Sequence, residues 1–304
     1  MKRLKHIVLI LVLSFICLGG LTSFYVPAES IQIRVFSHLK INEAHLSVYL
    51  GTYKVYADGV LVSPCNPGMD FKLSVKNDSV EVYKNGELLG VYQYVKFTSD
   101  SGCELKLKLS NPDRKPRVYQ DDLGFGTSEG FLKIINDVVL DNYIAGVTEA
   151  EAGSRSAMEF YKVQAILART FALAHVTKHS LEGYSLCDQV HCQAYYGKPK
   201  DQTIFKALED TKGKVVVDEN LNLITAAFHS NSGGQTANSE DVWGSKTTYL
   251  RSIPDSFSIQ MPNARWQRKM LAEDWLSYLK IKHNFPVDDK EARELALNFK
   301  QENR

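Results

Sequence analysis

The sequence predicts an α+β fold, with a β-rich N-terminal part followed by a mixed α/β part. Two observations carry this. Between Ile31 and Ser110, short runs alternate apolar and polar residues and are separated by turn signals. From Leu140 onward, apolar residues recur at three- and four-residue spacing instead. At 304 residues, 44% hydrophobic and 23% charged, the chain is globular and long enough for one large domain or two smaller ones.

Taken in order, the first element is a targeting segment. Lys2, Arg3 and Lys5 precede an apolar run, Ile7–Leu18, which is shorter than the ~20 residues a spanning helix needs. Val26-Pro27-Ala28 suits cleavage and leaves Glu29 as the mature start. An uncleaved N-terminal anchor is the alternative, because Leu21 and Phe24-Tyr25-Val26 prolong the run. A lipoprotein reading of Cys17 is disfavoured by the bulky residues in Ser14-Phe15-Ile16. Either way the domain is expected to be exported to the cell envelope.

Ile31–Val35 alternates as a strand. Asp58-Gly59 and Asn85-Gly86 are hairpin signals, and Lys76-Asn77-Asp78 is a further turn. Glu104–Leu109 alternates again, and Asn111–Pro116 suits a linker or long loop. Leu132–Val139 reads as a strand and Leu140–Glu151 as a helix. Ser156 and Glu159 fit a capping box for a second helix, whose apolar stripe is Phe160, Val163, Leu167, Phe171 and Ala174. Lys214–Val217 and Leu223–Phe228 read as strands around Asp218-Glu219-Asn220. Trp266–Leu279 and Lys290–Gln301 read as helices. The expected organisation is 1–28 targeting, 29–118 β-rich, 119–258 core and 259–304 helical, with no internal repeat.

Within the first helix, Leu140, Ile144, Val147 and Glu151 share one face, while Glu149 lies roughly 200° away from Glu151 and can stay in water. A carboxylate aimed at an apolar surface has a raised pKa, which suits a general acid. The bland alternative is that Glu151 snorkels or pairs with a base.

The motifs here resemble a known family. Gly146-Val147-Thr148-Glu149-Ala150-Glu151 and Lys162–Thr170 are similar to the signature of the SpoIID/LytB family, which includes sporulation stage II protein D lytic transglycosylases and amidase enhancers. Cys192–Gly197, Phe228–Gly234 and Val242-Trp243-Gly244 followed by Tyr249-Leu250 match it in the same order. The resemblance spans roughly residues 134–254 and marks 119–258 as a SpoIID-like catalytic core. It implies peptidoglycan glycan cleavage, with Glu151 at the position of the catalytic Glu. Relatives continue into a Gly/His-rich segment that has no counterpart between Ile259 and Arg304, so the expectation is either a fragment or an incomplete family domain.

The implied reaction cleaves the β-1,4 bond between N-acetylmuramic acid and N-acetylglucosamine and leaves a 1,6-anhydro end. Glu151 acts as acid and then base, so no second carboxylate is obligatory. Glu240, Asp241 and Asp188 are the rivals if the reaction is hydrolysis. The formal net charge of +1 gives no basic excess for nucleic acid and no long-range field for an acidic polymer. Glycan contacts are therefore expected to be local, from Gln164, Arg169, Gln193, Tyr195, Ser230, Ser232, Gly233, Gly234, Glu240 and Trp243. Tyr195 or Trp243 would supply a stacking face. A serine hydrolase built on His229, Ser230 and Ser232 is disfavoured, because the nucleophile-elbow pattern is absent. The second functional reading is a glycan-binding partner that stimulates a peptidoglycan amidase.

The cysteines divide into two pairs once Cys17 is set aside. Cys65–Cys103 is a disulfide candidate in an exported chain. Cys187, His191 and Cys192, with His179 or His175 as the fourth ligand, can build a closed structural zinc site. Some family members resemble this reading. The alternative is a Cys187–Cys192 disulfide with two ordinary histidines.

Overall fold

A computed structural model describes residues 30–99 and 102–298. The targeting segment, Cys17 and Gln301 lie outside the described residues. The chain divides into two units, one ending at Ala227 and one from Phe228 onward.

The first unit is built on strands β1 (Ser30–Val35), β2 (Glu43–Leu50), β3 (Tyr53–Ala57), β4 (Val60–Cys65), β5 (Asp70–Lys76), β6 (Ser79–Lys84) and β7 (Glu87–Tyr92). They are followed by β8 (Val95–Ser99), β9 (Glu104–Asn111), β10 (Arg117–Gln120), β11 (Asp122–Ser128), β12 (Phe131–Val139) and β13 (Leu186–Cys187). Two sheets result, ordered β13-β1-β12-β11-β8-β3-β4 and β10-β9-β2-β5-β6-β7. All pairings are antiparallel except β1 with β13.

The hairpin signals are where the sequence places them. Asp58-Gly59 and Asn85-Gly86 all take positive φ, the geometry that matches strand twist in two-residue hairpins. Alternation then buries one face of each sheet, and Phe71 meets Phe97 edge-on at 5.2 Å to close the core. β1 pairs along its length with β12, so the N-terminal β region and the start of the expected core share one sheet. Cys65 and Cys103 are buried free thiols, and the expected bridge between them is not formed.

Helix α1 (Leu140–Ala152) follows β12 directly and buries Tyr143 to Thr148. Its start is held by Asp121, whose Oδ2 accepts the Val139 N–H and an Asn142 amide N–H, both at 2.9 Å. Helix α2 (Met158–Ala174) departs from expectation in two ways. Ala157, not Ser156, precedes it, and the Ser156 hydroxyl donates to the Ala152 carbonyl at 3.0 Å. Ser156 thus satisfies the end of α1 and caps nothing on α2. The buried stripe is Tyr161, Ala165, Ala168 and Ala172, while Phe160 and Val163 are exposed. Small side chains let α2 approach α1 closely, which the larger residues of the predicted stripe would prevent. Helix α3 (Thr203–Asp210) packs against both.

The strands expected at Lys214–Val217 and Leu223–Phe228 reduce to one bridge, Val217 with Leu223. Their backbone is taken elsewhere: Thr170 accepts the Val216 N–H at 3.0 Å and Arg169 donates to the Lys214 carbonyl at 3.2 Å.

The second unit carries α4 (Ser239–Trp243), α5 (Ala272–His283) and α6 (Lys290–Asn298). α5 starts later than the predicted Trp266. Arg265, Arg268 and Lys269 would oppose the positive end of a helix, whereas Glu273 and Asp274 complement it. Leu276 and Val287 are buried here, but Phe257 is 87% and Trp266 84% exposed.

A close approach in the first unit is at Gly146. A Cβ there would lie 2.3 Å from the Gly197 carbonyl and 2.5 Å from the Tyr195 ring. Gly146→Ala should therefore destabilise the protein by about 1–3 kcal/mol, read as a lower urea midpoint with an unchanged slope. A midpoint equal to wild type would mean that α1 does not need this contact.

Candidate functional site

Glu149 and Glu151 close helix α1 and grip one segment of chain at two points. Glu151 Oε1 accepts the Ala194 N–H at 2.8 Å. Glu149 is not left to water as expected; its carboxylate accepts the N–H groups of Lys200 and Asp201 at 3.0 Å. Carboxylates at a helix C-terminus face the negative end of its dipole, and these donors offset that cost. Glu151 is half-buried, and its Oε2 makes no hydrogen bond among the described residues.

The gripped segment is anchored by aromatic burial. Tyr195 is 1% exposed, packs on Tyr143 and Tyr119, and donates its hydroxyl to Asn136 Oδ1 at 2.8 Å. Burial pushes the phenols of Tyr119, Tyr143 and Tyr195 above their ordinary range, so they stay neutral. Gln193 accepts from the Tyr143 hydroxyl at 3.2 Å and donates to the Ala168 carbonyl at 3.3 Å. The polar atoms of Gln193 and Tyr195 are thus occupied internally, and Tyr195 offers no ring to a sugar. Tyr196, which sequence reasoning passed over, is exposed instead. Arg169 is likewise internal, donating to Thr211 O, Lys214 O and Asp141. Gln164 is 3% exposed, and its Nε2 has no partner among the described residues.

The rival carboxylates are committed elsewhere. The Asp188 side chain is fully buried and accepts from Phe36 N, Ser37 N and Oγ, and Arg117. Glu240 forms a two-pronged pair with Arg251 at 2.5 and 2.8 Å, and the hydrogen bonds from that guanidinium hold its carboxyl at about 2. At neutral pH it has no proton to give. Asp241 is exposed and accepts from Asn238 at 3.1 Å.

In the second unit, Ser232 donates to Asp255 at 2.6 Å and meets Ser258 at 2.6 Å. Gly233 and Gly234 form the expected turn, with their N–H groups on Asn231 and on Ser232 and Ser258; no strand precedes it. Ser230 and Trp243 are exposed.

His179, Cys187, His191 and Cys192 bring one donor atom each within 4.8 Å of one another. Cys192 Sγ lies 3.5 Å from His179 Nε2 and 3.7 Å from His191 Nδ1, and Cys187 Sγ lies 3.8 Å from His191 Nδ1. The edges of a zinc tetrahedron with two sulfur and two nitrogen ligands are about 3.3–3.8 Å, and these three separations match them. Cys187 and Cys192 are free, not bridged, and the Cys192 thiol shares its proton with Cys187, holding Cys187 low and Cys192 high. His179 Nδ1 meets Glu182 at 2.6 Å, the carboxylate support that ligating histidines usually have. His175 lies outside the set, stacked on Phe171 with Nδ1 at 2.9 Å from its carbonyl.

Residues 128–217 match the family model for SpoIID, stage II sporulation protein. Over that span the chain is similar to the SpoIID family, in line with the resemblance its motifs carry. Among similar proteins, the amidase enhancer of Bacillus subtilis is 34% identical over 113 residues, 37% of this chain and 15% of that one. The stage II sporulation protein D of Bacillus subtilis is 27% identical over 164 residues, 49% of this chain and 48% of that one. Its namesake from Bacillus amyloliquefaciens is 29% identical over 144 residues, 42% of each. The chain spans less than half the length of each of these relatives. The SpoIID match takes in α1, α2, Glu151 and the Cys/His cluster, and ends before the second unit.

Arg169 separates a structural role from a binding one. Arg169→Met removes a buried cation and leaves the Thr211 and Lys214 carbonyls short of a donor. It should cost about 3 kcal/mol in thermal or urea unfolding. Unchanged stability with weakened glycan binding would reverse this assignment.

Proposed function

We propose that this chain is a peptidoglycan lytic transglycosylase in which Glu151 is the acid and base. The observation that carries the reading is the placement of Glu151. One oxygen is fixed by the Ala194 N–H at the end of a rigid helix, and the other is left for a ligand. In its acid form Glu151 protonates the glycosidic oxygen as the bond to muramoyl C1 breaks. The resulting carboxylate takes the proton of the muramoyl C6 hydroxyl, whose oxygen closes on C1 to form the 1,6-anhydro ring. No water is consumed, and Glu151 ends in the acid form in which it began.

The four-ligand Cys/His cluster is proposed as a structural zinc site, since a catalytic zinc keeps an open position. The ion would stiffen the loop whose Ala194 N–H holds Glu151. The protein is proposed to act outside the cytoplasm, in the cell envelope, as its N-terminal segment suggests. Among the described residues no helix is long and apolar enough to cross a membrane. A second reading, stimulation of a peptidoglycan amidase, is favoured by the likeness to the amidase enhancer.

Glu151→Gln keeps an acceptor for Ala194 and removes the proton. It should lower release of anhydromuramoyl products by about 10²-fold or more, measured by mass spectrometry on purified glycan strands. Activity within a few-fold of wild type would remove Glu151 from the role. If wild type forms no anhydro ends but accelerates an added amidase, the second reading replaces the first.

Purified protein should carry about one zinc per chain and two titratable thiols at Cys187 and Cys192. Zinc should be lost on acidification, because its ligands are deprotonated thiols and neutral imidazoles. A metal-free protein with a Cys187–Cys192 disulfide would end the zinc assignment.

A further inference from the structure

The outer face of the β10-β9-β2-β5-β6-β7 sheet holds two adjoining depressions that the Glu151 chemistry does not use. The first, ≈ 290 Å³, is floored by His45 and Ser47 of β2 and by Lys106 and Lys108 of β9. The second, ≈ 480 Å³, lies beyond Tyr49 and is lined by Arg117, Val118, Tyr196, Lys198 and Lys200. Strand register makes them neighbours, because Ser47 pairs with Lys106 and Lys106 pairs with Val118. From His45 to Tyr49 alone the groove runs about 13 Å.

Its charge is one-sided. Five cations line it against one carboxylate, Asp70, although the whole chain is formally only +1. Three of the cations have partners: Lys108 is 3.9 Å from Asp113, Lys198 2.5 Å from Glu104, and Arg117 3.3 Å from Asp188. Lys106 and Lys200 are exposed and form no ion pair among the described residues. Two aromatic rings stand among these charges. Tyr49 is 63% and Tyr196 54% exposed, and the Arg117 guanidinium braces Tyr196 at 4.8 Å. Exposed tyrosine rings take the flat faces of sugars, and unpaired lysines take acid groups. With both kinds interleaved at neighbouring positions, the matching ligand carries its acid groups on the sugars themselves.

We infer that this groove, whose lining does not include Glu151, binds an acidic glycan strand through carboxylates attached to its sugars. It rests on the reading of Proposed function only for the nature of the strand. Binding there would retain a long polymer while other parts of it are processed, and would be screened by salt.

The test is fluorescence anisotropy with a labelled oligosaccharide of alternating N-acetylglucosamine and muramic acid, its lactyl carboxylates free. A neutral N-acetylglucosamine oligomer of equal length is the control. The acidic oligomer should bind about 10-fold tighter or better, and most of that preference should vanish near 0.5 M salt. Lys106→Gln with Lys200→Gln should erase it, and Arg at both positions should keep it. Equal binding of the two oligomers, or an unaffected double Gln variant, would overturn the assignment. Inorganic polyphosphate binding as tightly as the acidic oligomer would overturn the sugar part of it. Glu151→Gln should abolish products and leave this binding intact, so loss of one reading is distinguishable from loss of the other.

Discussion

Tyr195 is the point from which the rest of the site is positioned. Its hydroxyl bonds Asn136, and Asn136 in turn donates to the carbonyls of Gln120 and Asp122 at 2.9 Å. Apart from the half-buried Asp122, these groups are buried in the first unit, where an unpaired polar atom costs about 1–3 kcal/mol. The loop after Cys192 therefore has one low-energy seat between β12 and α1. Ala194 is next to Tyr195 in the chain, so seating the ring also aims the N–H that holds Glu151. The absence of a side chain at Gly146 lets the helix come close enough for this to happen.

Polar residues of the family motifs fall into two groups by what they touch. Arg169, Gln193 and Tyr195, like Asp188 outside the motifs, spend their donors and acceptors inside the protein. Glu151 keeps one oxygen uncommitted, and Trp243 and Tyr196 keep their rings exposed. The division follows from the cost of burial. A buried charge or amide is tolerated only when paired, so the most buried motif residues are the least available to a ligand. Gln164 is the exception, buried with an amide nitrogen that no described residue accepts.

Much of the fold was legible in the sequence. Period-two alternation and the Asp-Gly and Asn-Gly turns located the hairpins, and helical spacing located α1 almost to the residue. These signals are local, since each depends on neighbours within a few positions. The stripe on α2 was misread because hydrophobicity ranks Phe160 and Val163 above Ala165 and Ala168. Close helix packing rewards small size, and that preference is invisible without the partner helix. The strands near Asp218 failed for a related reason: their backbone groups are claimed by Thr170 and Arg169, which are distant in sequence.

The sequence by itself determined the identity and spacing of the chemical groups. It placed a carboxylate on the inner face of a helix end, and two cysteines and two histidines close along the chain. Spacing along a helix or tight loop is enough to bring such groups to one side. Tertiary structure decided which of them are left for chemistry. His179 rather than His175 joins the cluster because the chain between them turns away from the helix, leaving His175 stacked on Phe171. Glu240 and Asp188 are withdrawn by partners, Arg251 and Arg117, that no local pattern announces. The basic groove on the outer sheet is likewise assembled from β2, β9, β10 and the Tyr196–Gln202 segment. Its charge is visible only when strand pairing sets those segments side by side.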